Sequence, residues 1–255
     1  MKLKLITVAI ALTAWTTAAN AVYIETNEAN GEKSLQTILN DITVDGDSSV
    51  NVQTDQATPS SLWKNTESGT TQSRYVASIA GNTTDGLTSV GIYDPNDPFN
   101  LNKRYTLFDT ATDSVGTGQV FGVADDGKVY DGENAEDFTG IQFGGDTFGF
   151  FLTIAGQGGY TLYSQNALNP NDEQQMVAFQ GKGDDVDLGS VFGATNWKDG
   201  WILAWEDQSY ASSDMDFNDF VLFLESAVPV PEPGTLALLG LGLAGLGATR
   251  RRQKA

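Results

Sequence analysis

The chain has 255 residues, and its 33 aspartates and glutamates outnumber 14 lysines and arginines to give a net charge of −19 at pH 7. Such an acidic protein repels nucleic acids and anionic membrane surfaces, so we expect no nucleic-acid partner. The sequence contains no histidine and no cysteine. This excludes Ser-His-Asp triads, cysteine–histidine pairs, histidine-ligated zinc or copper, and disulfide bridges.

The first 21 residues are predicted to be a secretory signal peptide. Lys2 and Lys4 precede an apolar stretch at 5–15, and small residues follow at Ala19 and Ala21. This is the order of a positive region, an apolar region and a cleavage site, with Ala19 and Ala21 at the −3 and −1 positions. We therefore expect cleavage after Ala21 and export of the remaining chain.

One short helix is expected near the start of the exported part. Ser34 is a good N-cap residue, and Leu35, Ile38 and Leu39 recur at the spacing of one helical face. The following stretch, 45–73, is rich in serine, threonine, aspartate and glutamine. It is predicted to form loops and edge strands.

The rest of the exported part is predicted to be all-β. Short apolar or aromatic runs alternate with glycine, asparagine, aspartate and proline, which is the pattern of strands joined by turns. We expect residues 22–228 to form an antiparallel β-sandwich of the jelly-roll kind, with hairpin turns at 125–127 and 158–159. The predicted strands are 75–80, 87–93, 104–109, 119–123, 147–154, 160–164, 176–180, 201–206 and 219–225.

The last two predicted strands differ in their burial pattern. In the strand at 201–206, Trp201, Leu203 and Trp205 share one face, and the other face ends in a glutamate. This alternation predicts a half-buried strand. The stretch 220–224 is apolar on both faces, which is typical of a central strand.

The segment between these two strands is strongly acidic. Asp214, Asp216 and Asn218 are spaced by two, so their oxygens can converge where the backbone curves around an ion. Carboxylate and amide oxygens are the ligands that calcium prefers. The same residues are also common in solvated turns, through hydrogen bonds between side chain and backbone. The predicted Ca²⁺ ligands are Glu206, Asp207, Asp214, Asp216, Asn218 and Asp219.

Three other segments are interpreted more simply. The acidic clusters at 94–97 and 184–187 are predicted to be turns, because aspartate and asparagine favour turns. The proline-rich segment 229–233 is predicted to be an extended linker, since proline restricts both itself and the residue before it.

The C-terminal residues carry a motif, an apolar stretch and a basic cluster in that order. Val230-Pro231-Glu232-Pro233 is followed by uncharged residues up to 249 and then by three arginines at 250–252. The apolar stretch is shorter than the roughly 20 residues that span a bilayer, and the arginines favour a cytoplasmic end. This order resembles the PEP-CTERM protein-sorting signal, so residues 229–255 are predicted to be a sorting tail. Its motif residues are Val230, Pro231, Glu232 and Pro233.

This resemblance implies a destination for the protein. It implies export in a Gram-negative bacterium and processing near the Pro-Glu-Pro motif by an exosortase, an integral membrane protease. It also implies an association with exopolysaccharide or biofilm. The C-terminal transmembrane helix would anchor the chain in the inner membrane only transiently. The expected location is the cell envelope, its outer surface or the extracellular matrix.

Residues 147–226 resemble the domain-of-unknown-function family 4114. The matching pieces are the strand at 148–152, the region 163–169, and a signature of Ala204-Trp205-Glu206-Asp207 followed by Asp214-x-Asp216-Phe217-Asn218-Asp219. This chain has Ser212-Ser213 where the family often has two glycines, which could alter the turn without removing the ligands. The family has no assigned activity. The recurrence of its acidic signature favours a cation site over a plain turn.

Three functions fit these features. A non-enzymatic calcium-binding protein of the envelope or matrix accounts for the signals, the acidity and the acidic segment. A carbohydrate-binding module for exopolysaccharide would stack sugars on aromatic residues, namely Trp63, Trp197, Trp201 and Trp205 with the eight tyrosines. Such residues are more often core residues of a sandwich. A glycoside hydrolase would need two carboxyl groups across a cleft. The sequence gives no sign of such a cleft, so we expect no enzyme.

Overall fold

The computed structural model describes residues 21–28, 31–58, 61–66, 71–77, 87–132, 137–156, 158–189 and 194–231. The predicted signal peptide before Ala21 and the apolar C-terminal stretch lie outside these residues. Within them, no helix is both long enough and apolar enough to cross a bilayer. The predicted transmembrane helix therefore stays a prediction from the sequence.

The described residues contain one α-helix and fifteen strands. The helix α1 is Leu35–Ile42. The strands are β1 Leu62–Asn65, β2 Thr71–Ala77, β3 Leu87–Tyr93, β4 Arg104–Asp109, β5 Gly118–Val123, β6 Lys128–Asp131, β7 Asp137–Gln142, β8 Thr147–Ala155, β9 Tyr160–Tyr163, β10 Met176–Gln180, β11 Asp184–Asp187, β12 Ala194–Trp197, β13 Trp201–Trp205, β14 Phe220–Leu224 and β15 Ala227–Val230. Short 3₁₀ turns lie at Leu101–Lys103, Asn166–Leu168 and Pro170–Asp172.

Two antiparallel sheets form the body of the protein. A six-stranded sheet has the order β15-β1-β8-β3-β4, with β9 also paired to β8, and a seven-stranded sheet has the order β10-β13-β14-β2-β5-β6-β7. The main core holds side chains from both sheets, including Trp63 of β1, Phe150 of β8 and Trp201 of β13. The rings of Trp63 and Trp201 meet edge to face with centroids 5.2 Å apart. The prediction of an antiparallel β-sandwich is confirmed.

A third layer covers the outer face of the seven-stranded sheet. It consists of α1, residues around 50–52 and the two-stranded sheet of β11 and β12, which pack on Ile202 and Ala204 of β13. Ser34 caps α1 as predicted, since its side chain accepts a hydrogen bond from the Thr37 backbone N–H at 3.3 Å. The outer layer covers the face of β13 opposite the main core, so both faces of this strand are buried. The prediction of a half-buried strand there is therefore wrong, whereas the central strand predicted at 220–224 is confirmed.

The turns predicted at 125–127, 158–159 and 94–97 are confirmed, and the turn predicted at 184–187 is wrong. The turns at 125–127 and 158–159 connect β5 to β6 and β8 to β9, and Gly127 and Gly158 adopt the positive φ that such turns require. In the cluster at 94–97, the Asp97 N–H donates to the Asp94 carbonyl at 3.0 Å, so this segment is a turn as predicted. The cluster at 184–187 is instead the strand β11, because Val186 between the aspartates is buried in the outer layer.

Two of the predicted loops contain paired strands. In the stretch 45–73, β1 is hydrogen-bonded to β15 on one side and to β8 on the other, so the prediction of an edge strand is wrong for β1. The segment predicted as a linker begins inside the sheet, where Val230 of β15 pairs with Leu62 and Pro229 pairs with Trp63. The last strand of the sandwich thus runs into the first residue of the Val-Pro-Glu-Pro motif.

Candidate metal centre

The acidic residues lie at one end of the seven-stranded sheet. Strands β13 and β14 are antiparallel neighbours, and Trp205 at the end of β13 pairs with Phe220 at the start of β14. Glu206, Asp207 and Asp219 immediately follow or precede these strands, so the sheet register brings them together. Each offers a carboxylate oxygen, and the three oxygens lie within 4.8 Å of one another. We call Glu206, Asp207 and Asp219 the strand-end cluster.

The connection between the two strands, residues 206–219, is the acidic loop. Met215 and Phe217 in this loop adopt the left-handed conformation, with φ of 62° and 54°. Residues other than glycine rarely adopt this conformation, because it costs about 1 kcal/mol of backbone strain per residue. Phe217 is buried in the outer core, which is the apolar cluster between the seven-stranded sheet and the third layer. Met215 packs against this core. The apolar side chains therefore anchor the loop, while Asp216 and Asn218 alternate with them.

A second group of carboxylates includes residues from the second half of this loop. Oxygens of Glu32, Asp214 and Asp216 also lie within 4.8 Å of one another, and we call these residues the loop cluster. Five of the six predicted ligands are thus divided between two clusters. Asn218 lies beside the loop cluster, since its side-chain nitrogen donates to Asp216 Oδ2 at 2.6 Å.

Glu32 was not predicted from the sequence. It precedes α1, far from the acidic loop along the chain, and no spacing or local motif connects it with Asp214. The tertiary contact arises because the Lys33 carbonyl accepts a hydrogen bond from Asn218 Nδ2 at 2.8 Å. This bond joins the segment before α1 to the acidic loop.

Most of these side chains are hidden from solvent. The exposed fraction is 1% for Glu206, 3% for Asp207, 4% for Asp216 and 0% for Asn218. A buried carboxylate is costly unless a cation or hydrogen-bond donors compensate its charge. These positions therefore demand compensation that solvated turn residues do not need.

The crowding of carboxyl groups also changes their protonation. Burial, together with the charge of nearby Asp214, raises the pKa of Glu206 to about 7 and that of Asp216 to about 7. Burial raises the pKa of Asp207 to about 6. Burial and then the charges of Glu206 and Asp207 raise the pKa of Asp219 to about 10. Each of these four groups is held in an environment that disfavours its own negative charge.

Several buried oxygens have no hydrogen-bond partner. Among the described residues they are Glu206 Oε2, Asp207 Oδ1 and Asn218 Oδ1 of the acidic loop, and Gln175 Oε1. Ion pairs between described residues join Lys33 to Asp41, Lys103 to Asp94, Lys128 to Asp126 and Lys182 to Asp55, and none includes a strand-end carboxylate. Buried polar atoms are nearly always satisfied in folded proteins. A cation coordinated by Glu206 Oε2 and Asp207 Oδ1 would satisfy these two oxygens of the strand-end cluster.

Neighbouring residues fix the strand-end cluster in place. The Asp207 N–H donates to Asp219 Oδ2 at 2.7 Å, and the Glu206 N–H donates to the Gln175 carbonyl at 3.0 Å. The Tyr160 hydroxyl donates to the Asp207 carbonyl. The donor set contains only oxygen, which suits a hard cation such as calcium and does not suit zinc or copper.

The tryptophans predicted as possible sugar platforms are core residues. Trp63, Trp197 and Trp205 are fully buried, and Trp201 is nearly so. Trp63, Trp201 and Trp205 belong to the main core, and Trp197 belongs to the outer core. The interpretation of these residues as sandwich core is confirmed.

Comparison with known families matches two parts of the chain. Residues 143–227 match the family model described as a domain of unknown function (DUF4114), and residues 229–252 match the PEP-CTERM protein-sorting motif. Both resemblances are confirmed. The first match contains the whole acidic loop but not Glu32. The second marks an exported protein that is sorted to the envelope and processed by an exosortase. No curated protein and no solved structure matches the chain.

Proposed function

We propose that this exported, exosortase-sorted protein is a non-enzymatic calcium-binding component of the cell envelope or extracellular matrix. The observation that supports calcium most strongly is the strand-end cluster, in which Glu206 Oε2 and Asp207 Oδ1 are buried without a partner. Two carboxylates at such a separation repel each other by about 3 kcal/mol at an effective dielectric constant of 20. A divalent cation turns this repulsion into coordination.

Calcium fits this cluster better than magnesium does. Calcium accepts six to eight oxygens in flexible geometry, whereas magnesium requires a near-ideal octahedron and dehydrates reluctantly. Three carboxylates held at the ends of two strands supply three to six oxygens, and water can supply the rest. Extracellular calcium modules work at dissociation constants of about 10⁻⁴ to 10⁻³ M. A site of modest affinity is therefore adequate outside the cell.

The destination within the envelope is part of the same proposal. The tail would anchor the chain transiently in the inner membrane of a Gram-negative bacterium until the exosortase acts near Pro231-Glu232-Pro233. Residues 22–228 carry 8 lysines and arginines against 32 aspartates and glutamates. Divalent cations bridge such an acidic surface to anionic polymers. We therefore place the protein among exopolysaccharide or biofilm components.

The two alternative functions have less support. A carbohydrate-binding module would stack sugars on exposed aromatic rings, and the four tryptophans considered for this role are buried in the two cores. A glycoside hydrolase needs two carboxyl groups on opposite sides of a cleft. The strand-end carboxylates are instead packed within 4.8 Å at the end of one sheet.

Calcium should raise the thermal midpoint of the full-length protein, purified in mild detergent, above its value in EDTA. A ligand that binds only the folded state at a hundredfold excess over its dissociation constant stabilises that state by about 2.7 kcal/mol. The measurement is thermal unfolding followed by circular dichroism, with magnesium at the same concentration as the control for charge screening. Equal midpoints in the two ions would refute a built calcium site.

Glu232→Ala should prevent removal of the sorting tail. The central glutamate of the Pro-Glu-Pro motif is its only charged residue, so its loss removes the feature that a protease can recognise electrostatically. We expect an unprocessed, membrane-bound precursor in envelope fractions, detected by mass spectrometry of the C-terminal peptide. Gln253→Ala, in the same tail but outside the motif, is the matched control. Normal processing of the Glu232 variant would show that the motif is not read.

A further inference from the structure

We infer that the protein binds a second calcium ion at the loop cluster, and that this ion fastens the segment 22–33 to the acidic loop. The inference rests on the proposed function, because it assumes that the strand-end cluster holds the first ion. It adds Glu32 as a ligand from a part of the chain that lies outside the residues matched by either family model.

The geometry of the loop cluster supports a separate ion. Glu32, Asp214 and Asp216 offer oxygens within 4.8 Å of one another, and none of the three belongs to the strand-end cluster. Two of them come from the second half of the acidic loop, and the third comes from the segment before α1. Three carboxylates contributed by two chain segments form an oxygen site of the kind that calcium accepts.

Asn218 provides an observation independent of the acidic residues. Its side chain is fully buried, and its Oδ1 has no hydrogen-bond partner. Its Nδ2 donates to Asp216 Oδ2 at 2.6 Å and to the Lys33 carbonyl at 2.8 Å, so the amide lies between the two segments that form the cluster. These two bonds fix the orientation of the amide, because Nδ2 is the only donor it has. The carbonyl oxygen is therefore left for a cation.

The segment 22–33 has other attachments that the ion would complete. The Glu25 N–H donates to the Met215 carbonyl at 2.8 Å, and Ile24 is buried in the outer core. Gln56 holds Val22 at both backbone groups, with hydrogen bonds of 3.0 and 2.6 Å. Without a cation, the charge of Glu32 is repelled by Asp214 and Asp216. With one, the same three charges join the segment to the loop.

The test counts bound calcium on the full-length protein in detergent, by equilibrium dialysis against calcium-45. We expect two ions per chain for the parent and one for Glu32→Gln, because glutamine keeps the shape but removes the charge. Glu25→Gln is the matched control: the residue lies in the same segment, belongs to neither cluster, and should still allow two ions to bind.

A second measurement tests whether calcium holds the segment 22–33 to the acidic loop. Cleavage after Lys33 by a lysine-specific protease should slow at least tenfold when calcium is added to the parent, because the Lys33 carbonyl is tied to the acidic loop. Calcium should give no such protection in Glu32→Gln, and full protection in Glu25→Gln.

The outcomes separate the two proposals. Two ions bound to Glu32→Gln, or one ion bound to the parent, would overturn the second site and leave calcium binding itself intact. No ion bound to the parent would overturn both. Two ions in the parent with equal calcium protection in parent and Glu32→Gln would overturn the fastening of the segment.

Discussion

In the absence of calcium, the free energy of unfolding should fall by several kcal/mol as the pH rises from about 5 to about 8. The cause is the set of buried carboxyl groups whose pKa values are raised in the folded protein, to about 7 for Glu206 and Asp216 and about 6 for Asp207. In the unfolded chain the same groups lose their protons near pH 4. The folded protein therefore holds more protons than the unfolded chain across this range.

The sign follows from proton linkage. Where the folded state binds more protons, stability decreases with rising pH, by about 1.4 kcal/mol per pH unit for each extra proton. The contribution of these groups is complete below about pH 4 and is lost as the pH passes through 6 and 7. Asp219, with a pKa of about 10, extends the decline across the whole range. Asp126 and Asp55 have lowered pKa values, so they titrate below this window and do not obscure it.

The measurement is urea unfolding of the calcium-free protein in EDTA at half-unit steps of pH. The same series with saturating calcium should show a flat or rising trend, because the metal binds the deprotonated carboxylates and competes with protons. A stability that stays constant or increases with pH in EDTA would contradict the burial of these carboxyl groups.

Asp219→Asn should stabilise the calcium-free protein and weaken its response to calcium. Asp219 has the most strongly raised pKa of the site, from burial and from the charges of Glu206 and Asp207. An asparagine has the same shape and no charge, and its oxygen can still accept the Asp207 N–H that Asp219 Oδ2 accepts at 2.7 Å. At pH 8 we expect a gain of a few kcal/mol in EDTA, since a group that must be protonated on folding is removed.

The loss appears when calcium is added. Removing one of three carboxylates from the strand-end cluster should reduce the calcium-dependent rise in thermal midpoint to the part that the loop cluster contributes. Asp45→Asn, an exposed position in the loop after α1, removes the same charge and should leave the calcium response unchanged. If Asp219→Asn is less stable than the parent in EDTA, or keeps the full calcium response, the strand-end cluster is not the site.

The sequence predicted the strands that contain long apolar runs and missed those that do not. β3, β4 and β10 occupy the predicted ranges, because alternating or continuous apolar residues mark them from Leu87, Arg104 and Met176 onward. β6 and β11 have four residues each, and neither they nor β7 contain a continuous apolar run. β11 pairs with β12, and its one apolar side chain, Val186, is buried in the outer layer. Pairing partners of this kind come from the whole fold and leave no local periodicity.

The sequence predicted most of the residues of the candidate site but not how the fold arranges them. Spacing by two identified Asp214, Asp216 and Asn218, and the end of the preceding strand identified Glu206 and Asp207. Asp219 was identified as part of the acidic signature that resembles the family. Their division into two clusters depends on the register of β13 with β14 and on the contact between Lys33 and Asn218. Both are tertiary features, so a single sequence without its fold combines the six residues into one set.

Because β15 pairs with β1, the rate at which the tail is removed should depend on whether the sandwich is folded. Proteases bind their substrates as extended chains. Val230, one residue before Pro231, is paired with Leu62 in the sheet. The residues on the amino-terminal side of the motif belong to this edge strand. An enzyme that binds them must therefore first displace β15 from β1. The speed of maturation should thus depend on how often this edge frays, and a chain released before the sandwich has closed would mature without that delay.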